Sequence, residues 1–247
     1  MAASFYFPTD DIKLNIARGL VKGTTHIHKF GAVPTMSINT TGTLWDINDT
    51  LYPWSAFNTP SVLSVVATVA ENGHEVTIIG LDSDYNMLTE TVTISGGTAT
   101  TTNQFRRVFR AFNSQPESNN IDIKVGTTIV ARITAGYAQT LMAVYTIPAG
   151  YTGYLWKGTM SAQATADATG NMYIRYFGQS SFRVGHTFEV SGVGGPYSYD
   201  FPIPMPIPEK SDIDVRATTR TNNGRYTAVF DLCLIKTGLE TSNPTLS

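Results

Sequence analysis

The grouping best suited to acid–base chemistry in this sequence is Glu209, Asp212, Asp214 and Asp231. A pair of carboxyl groups can protonate a leaving oxygen and activate water at a glycosidic bond. That chemistry needs one acid whose pKa is raised by its surroundings. Here Asp212-Ile213-Asp214-Val215-Arg216 alternates polar with apolar residues, the pattern of a strand with one wet and one buried face. Both aspartates are therefore expected to face solvent, and no residue receives a catalytic role.

Other chemistry-bearing types fall short in the same way. His26-Ile27-His28 places two imidazoles on one side of a strand, but a catalytic metal site takes about three protein ligands. No third ligand stands nearby at a familiar spacing. Asp82-Ser83-Asp84-Tyr85-Asn86 resembles the opening of a calcium loop. Its sixth place is Met87 where a glycine is needed, and its twelfth is Thr93 where a bidentate glutamate is needed, so a polar hairpin turn is expected. Gly192-Val193-Gly194-Gly195-Pro196 lacks the Lys-Ser/Thr ending of a phosphate loop. No metal or cofactor is expected.

Charged residues make up only 15% of the 247 residues, against the usual ~25%. The net charge of -2 supplies no field for nucleic acid. Arg106, Arg107 and Arg110 form the densest basic spot, read as a solvated strand face because alternate side chains of a strand diverge. The lone Cys233 sits in the apolar run 229–235, so it should be a buried free thiol. Residues 1–8 lack a signal-peptide pattern, and no stretch approaches the ~20 apolar residues of a membrane span. A soluble protein made in the cytoplasm of the expressing cell is expected.

Plentiful Thr, Val, Ile, Tyr and Phe favour pleated strands. Candidate strands cover 61–69, 75–79, 90–94, 105–112, 121–125, 129–133, 141–147, 153–160, 171–177, 181–190, 212–217 and 225–235, with Gly- and Asn-rich turns between them. The expected fold is all-β, with two antiparallel sandwich domains of jelly-roll character and an extended N-terminal arm. A single large sandwich is the alternative. Residues 1–28 are assigned to the arm, 29–130 to the first sandwich, 131–237 to the second and 238–247 to a flexible tail. In the arm, Asp10 and Asp11 could cap a short helix with Ile12, Ile16 and Leu20 on one side, ended by Gly19 and Gly23. Phe201-Pro202-Ile203-Pro204-Met205-Pro206-Ile207-Pro208 fits an edge strand or stiff connector. Proline cannot donate to a central ladder, and the interleaved apolar residues would share the opposite face.

Several local strings occur together in order: 28–31 (HKFG), 44–46 (LWD) with Tyr52-Pro53, 80–82 (GLD) with 90–92 (ETV), 105–111 (FRRVFRA), 139–150 (QTLMAVYTIPAG) and 209–217 (EKSDIDVRA). In this order the chain resembles a group of virion structural proteins of tailed bacteriophages, including phages of marine and freshwater bacteria such as cyanophages. The resemblance runs from about His28 to Ile235 and leaves the first 27 residues uncovered. It implies a particle component without catalysis, located in the virion, and it transfers no functional residues.

The sequence and the resemblance together lead to a capsid decoration, or cement, protein. Its partners would be the major capsid protein or other virion subunits, and it would form a homo-oligomer, a trimer by expectation. Nucleic acid and membrane are not expected partners. Phe5, Tyr6, Phe7, Ile12 and Ile16 of the arm would make much of the contact. The alternatives are a neck or tail component and, from another class, a carbohydrate-binding host-recognition module using exposed aromatics.

Overall fold

The computed structural model describes residues 11–69, 73–114, 118–163 and 165–239. The fold is all-β and antiparallel, with one short helix α1 (Ile12–Ala17) near its start. Strands β1 (Thr24–Met36) and β2 (Thr41–Thr43) come first. A middle group follows: β3 (Ser64–Ala67), β4 (Glu75–Leu81), β5 (Met87–Thr93), β6 (Thr98–Thr100), β7 (Arg107–Asn113), β8 (Ile121–Val125) and β9 (Thr128–Ile133). The last group is β10 (Val144–Thr146), β11 (Tyr151–Ala162), β12 (Asp167–Arg175), β13 (Arg183–Ser191), β14 (Tyr197–Ile207), β15 (Asp212–Thr219) and β16 (Gly224–Lys236).

The middle group forms two sheets, ordered β6-β3-β8-β9 and β5-β4-β7. The other strands form two more, β1-β16-β11-β14 and β10-β15-β12-β13, with β2 also paired to β15. Strand β1 runs antiparallel to β16, from Thr24 opposite Ile235 to Val33 opposite Tyr226. Residues 24–28, read from sequence as the end of the arm, are thus the first part of a strand in the same sheet as β16. Residues 29–36 continue that strand and do not join the sheets of the middle group.

Each pair of sheets encloses an apolar layer. One layer gathers Leu155, Met172, Phe188, Ile213, Phe230 and Leu232 from β11, β12, β13, β15 and β16. The other gathers Val65, Ile78, Phe105, Ile123 and Val130 with Trp45 and Tyr52. Alternation builds both: in β12, residues 168, 170, 172 and 174 are buried and their neighbours are half-exposed. Each fully buried Leu, Ile or Phe contributes about 1.5–3 kcal/mol relative to exposure. The layers interlock at one seam. Phe109 of β7 packs into the first layer, while Val108 and Ala111 of the same strand pack into the second.

One backbone feature fixes how close the layers come. Gly31 in β1 faces the strand pair so tightly that an added Cβ would lie 2.1 Å from the Leu44 carbonyl oxygen and 2.3 Å from the Ala143 nitrogen. Glycine is required there for close backbone approach, not for an unusual φ. Cys233 is a buried free thiol, as expected for its apolar run.

Helix α1 begins at Asp11, whose carboxylate accepts from the Lys13 and Leu14 amides at 2.9 and 3.2 Å. Its last residue is followed by Arg18 and by Gly19 at φ +70°. Only Ile16 of the expected stripe is buried; Ile12 is 56% exposed, and Leu20, beyond the helix end, is also exposed. A helix of fewer than two turns is too short to bury a spacing-four stripe against a single neighbour. Phe5, Tyr6 and Phe7 lie outside the described residues, as does the tail from residue 240 onward.

Strand β14 is an edge strand, paired only with β11. Its pairing jumps from Leu155–Met205 to Lys157–Asp200, so residues 201–204 stand opposite one residue, Trp156. The chain bulges there. Ile203 is consequently 84% exposed, where the sequence pattern placed it on a shared buried face; of that face only Ile207 is fully buried.

Candidate functional site

The aspartates expected to face water are the most deeply buried charges among the described residues. Asp212 is 2% exposed and Asp214 is 0% exposed. Strand β15 lies inside its sheet, flanked by β10, β12 and β2, and its polar face is covered by the seam with the middle group. Alternation revealed two different faces but not what covers the polar one.

Both carboxylates are saturated with donors. Arg107 of β7 donates Nε to Asp212 Oδ1 at 2.8 Å and Nη2 to Oδ2 at 3.1 Å. Arg175 of β12 donates to Oδ2 through Nε (3.0 Å) and Nη2 (2.6 Å), and the Thr146 hydroxyl donates to Oδ1 at 2.6 Å. Asp214 accepts from Thr43 Oγ1 (2.9 Å), Trp54 Nε1 (2.9 Å) and Arg216 Nε (2.9 Å). The guanidinium of Arg216 lies over the rings of Tyr173 and Phe182, at 4.4 and 4.6 Å from their centroids. A buried charge is tolerated when it is paired and fully hydrogen-bonded, and these two meet that condition. All four carboxylate oxygens are engaged within the fold.

Arg107, read from sequence as part of a solvated face, is therefore buried at this seam, while Arg110 remains exposed beside Gln139. The remaining members of the acidic grouping are dispersed. Glu209 accepts from the Gly150 amide at 2.5 Å, and Asp231 lies on β16 in the other sheet.

His26 Nε2 and His28 Nδ1 share Asp231 Oδ1 at 3.1 and 2.7 Å. The β1–β16 register supplies this carboxylate from about 205 residues away, beyond the reach of local spacing. The His26 ring stacks on Trp156 with centroids 6.4 Å apart. Among the described residues no group of three or more His, Cys, Asp or Glu is placed to hold a metal ion.

The calcium-like string is a hairpin turn. The Asp82 carboxylate faces inward and accepts from the Asp84 and Asn86 amides at 2.8 and 2.9 Å. The glycine-rich string 192–196 connects β13 to β14, with the Gly194 amide bonded to the Ser191 carbonyl.

Two surface features join residues from separate parts of the sequence. Along β13 and β14, His186 stacks on Tyr199 at 4.7 Å, and Phe201 meets both rings edge-on at 5.3 and 4.9 Å. Burial lowers the His186 pKa below its ordinary value. The second feature is a polar cleft of about 200 Å³ beside the seam, lined by Tyr85, Arg106, Arg107, Arg175, Phe177 and Lys210 among others. No signal in the sequence joins these residues, which come from four separate segments.

Neither a protein-family model nor a curated protein matches this chain. Among solved structures, the chain is similar to a T13 viral particle of infectious bursal disease virus: 9% identity, 87% of this chain, 70% of that chain, TM-score 0.27. It is also similar to the VP2 subviral particle of that virus (10% identity, 88% and 73% coverage, TM-score 0.22) and to its Gx strain (11% identity, 87% and 77% coverage, TM-score 0.21). Scores of this size do not define a shared topology, and the likeness carries no weight for this chain's role. No described helix is long and apolar enough to cross a membrane.

Proposed function

We propose that this chain is a non-enzymatic structural component of a tailed-phage virion, a decoration (cement) protein seated on the coat shell as a homo-oligomer, with a trimer as the expected state. The observation that carries this reading is how the chain uses its charge. Its most chemically capable groups, Asp212, Asp214, Arg107, Arg175 and Arg216, are consumed in pairing one another, and the Arg107–Asp212 pair fastens two β layers together. Outward on the β13–β14 hairpin, the apolar Val184, Val193 and Ile203 stand exposed among the polar Arg183, Thr187, Glu189 and Asp200. A rigid body with apolar contacts on its rim suits assembly. The resemblance of the ordered strings to virion structural proteins points the same way. The division into two sandwich units belongs to this proposal, with β1 assigned to the unit that contains β16. So does the arm, in which Phe5, Tyr6, Phe7 and Ile12 would meet a coat subunit, while Ile16, expected in that contact, is buried within the chain's own fold.

The test is binding of the purified chain to particles that lack it. The full chain is expected to bind, and a variant lacking residues 1–20 is expected to fold and not bind. Unchanged binding by the truncated chain would reject the arm's role. Copy number in intact particles separates positions: hundreds of copies fit decoration, whereas a dozen or fewer fit a neck or tail ring. Cleavage of a polysaccharide abolished by Asp212→Ala with the fold intact would overturn the non-enzymatic reading.

A carbohydrate-binding module is the second reading, favoured by the His186–Tyr199–Phe201 ring cluster. Glycan-array binding lost in Tyr199→Ala would select it.

A further inference from the structure

The polar cleft beside the seam holds more positive charge than the fold neutralises. Arg106, Arg107, Arg175 and Lys210 all line it, and Asp212 is the one carboxylate among its lining residues. Asp212 is shared by Arg107 and Arg175. Arg106 donates Nη1 to the Asn58 carbonyl at 2.8 Å and to the Phe57 carbonyl at 3.3 Å, neither of which offsets its charge. Its Nε is buried without a hydrogen-bond partner. A buried N–H of this kind is normally satisfied, so an unpaired one calls for an explanation. Among the described residues neither Arg106 nor Lys210 has a carboxylate partner.

The cations also converge. Arg106, Arg107 and Lys210 lie 5.7, 5.7 and 5.9 Å from the centroid of the single Tyr85 ring, and Lys210 is 5.2 Å from Phe177. Like charges gathered at one ring repel each other unless an anion joins them. Two of the residues that form this arrangement have left-handed backbones, Tyr85 at φ +68° and Lys210 at φ +59°. That conformation is uncommon for a bulky aromatic residue, and such strain collects at binding sites.

We propose that this cleft is a binding site for a small, doubly charged oxyanion, held by Arg106 and Lys210 against the Arg107–Arg175 wall with Tyr85 and Phe177 as its apolar rim. The guanidinium groups favour planar or tetrahedral oxygen arrays, of which carboxylate, sulfate and phosphate are the common forms. At about 200 Å³ the cleft has room for one such group with a few waters, each taking roughly 30 Å³. The site does not depend on where the protein sits in a particle.

The test uses the full chain with inorganic phosphate, sulfate and malonate, each titrated by calorimetry and by thermal shift against sodium chloride of matched ionic strength. Saturable binding of at least one dianion is expected, with affinity reduced at least tenfold in R106Q and in K210Q. Tighter malonate than phosphate would identify a carboxylate donor, such as a partner chain; tighter phosphate or sulfate would identify a free inorganic or phosphoryl group; either result supports the site. Neither substituted side chain joins the Arg107–Asp212 pair, and R220Q, whose guanidinium bonds Thr169 and Glu189 at the opposite end of β12 from Arg175, is the control expected to bind as the native chain does. If R106Q fails to fold, K210Q alone decides. Shifts that track ionic strength without saturating, or equal binding by native chain and K210Q, would overturn the proposal.

Discussion

Arg107 and Asp212, 105 residues apart, form a bidentate buried pair that fastens the middle group of strands to the sheet containing β15. Because Arg175 and Thr146 share the same carboxylate, removing it strands two guanidinium groups at once. The consequences of this seam and of a few other contacts can be measured.

Asp212→Asn is expected to destabilise the fold by about 3–5 kcal/mol, the usual cost of leaving a buried charge without its partner. Urea unfolding monitored by tryptophan fluorescence reads the loss, since Trp54 bonds to the neighbouring Asp214. A change under 1 kcal/mol would mean that the seam contributes little to stability.

Stability should pass through a minimum near neutral pH. Burial pushes the Asp46 carboxyl from 3.8 up to about 7, opposed by the Thr134 hydroxyl bond. Between about pH 4 and 7 the folded state therefore holds a proton that the unfolded state has released, and stability falls as pH rises. Burial, assisted by nearby Arg110, lowers the Lys29 ammonium from 10.5 to about 7. From about pH 7 to 10.5 the unfolded state holds the extra proton, so stability rises with pH. At about 1.4 kcal/mol per unit over roughly three units, each limb is worth on the order of 4 kcal/mol. Asp46→Asn should flatten the acid limb and Lys29→Met the alkaline one, as read from melting temperature across pH 4 to 10.

Gly31→Ala should cost at least about 3 kcal/mol. The new methyl would collide with backbone atoms of residues 44 and 143, which belong to two different segments and cannot both retreat. Gly96→Ala has open space but a φ of +63°, so it should cost only about 1 kcal/mol. Paired thermal melts compare the two.

Replacing Pro202, Pro204 and Pro206 by Thr should leave the fold intact and promote self-association. An edge strand freed of prolines offers amides to a second chain. Light scattering as a function of concentration reads this; an unchanged monomer-to-oligomer profile would show that the bulge at residues 201–204 already protects the edge.

Much of this molecule could be read from local spacing. Period-two alternation and turn residues identified an antiparallel all-β chain, because a strand's side chains must alternate whatever it pairs with. The free, buried Cys233, the Asp82 turn, the Asp11 cap and the edge position of the proline-rich segment followed from residue chemistry that operates within a few positions. Pairing partners did not, because register between distant strands is chosen by the summed burial of whole sheets. Only the tertiary structure set β1 beside β16, gave His26 and His28 a shared carboxylate at Asp231, and closed the seam over Asp212 and Asp214. An alternating strand states that its two faces differ. Whether the polar face meets water or another layer's arginines is decided by packing between elements a hundred residues apart.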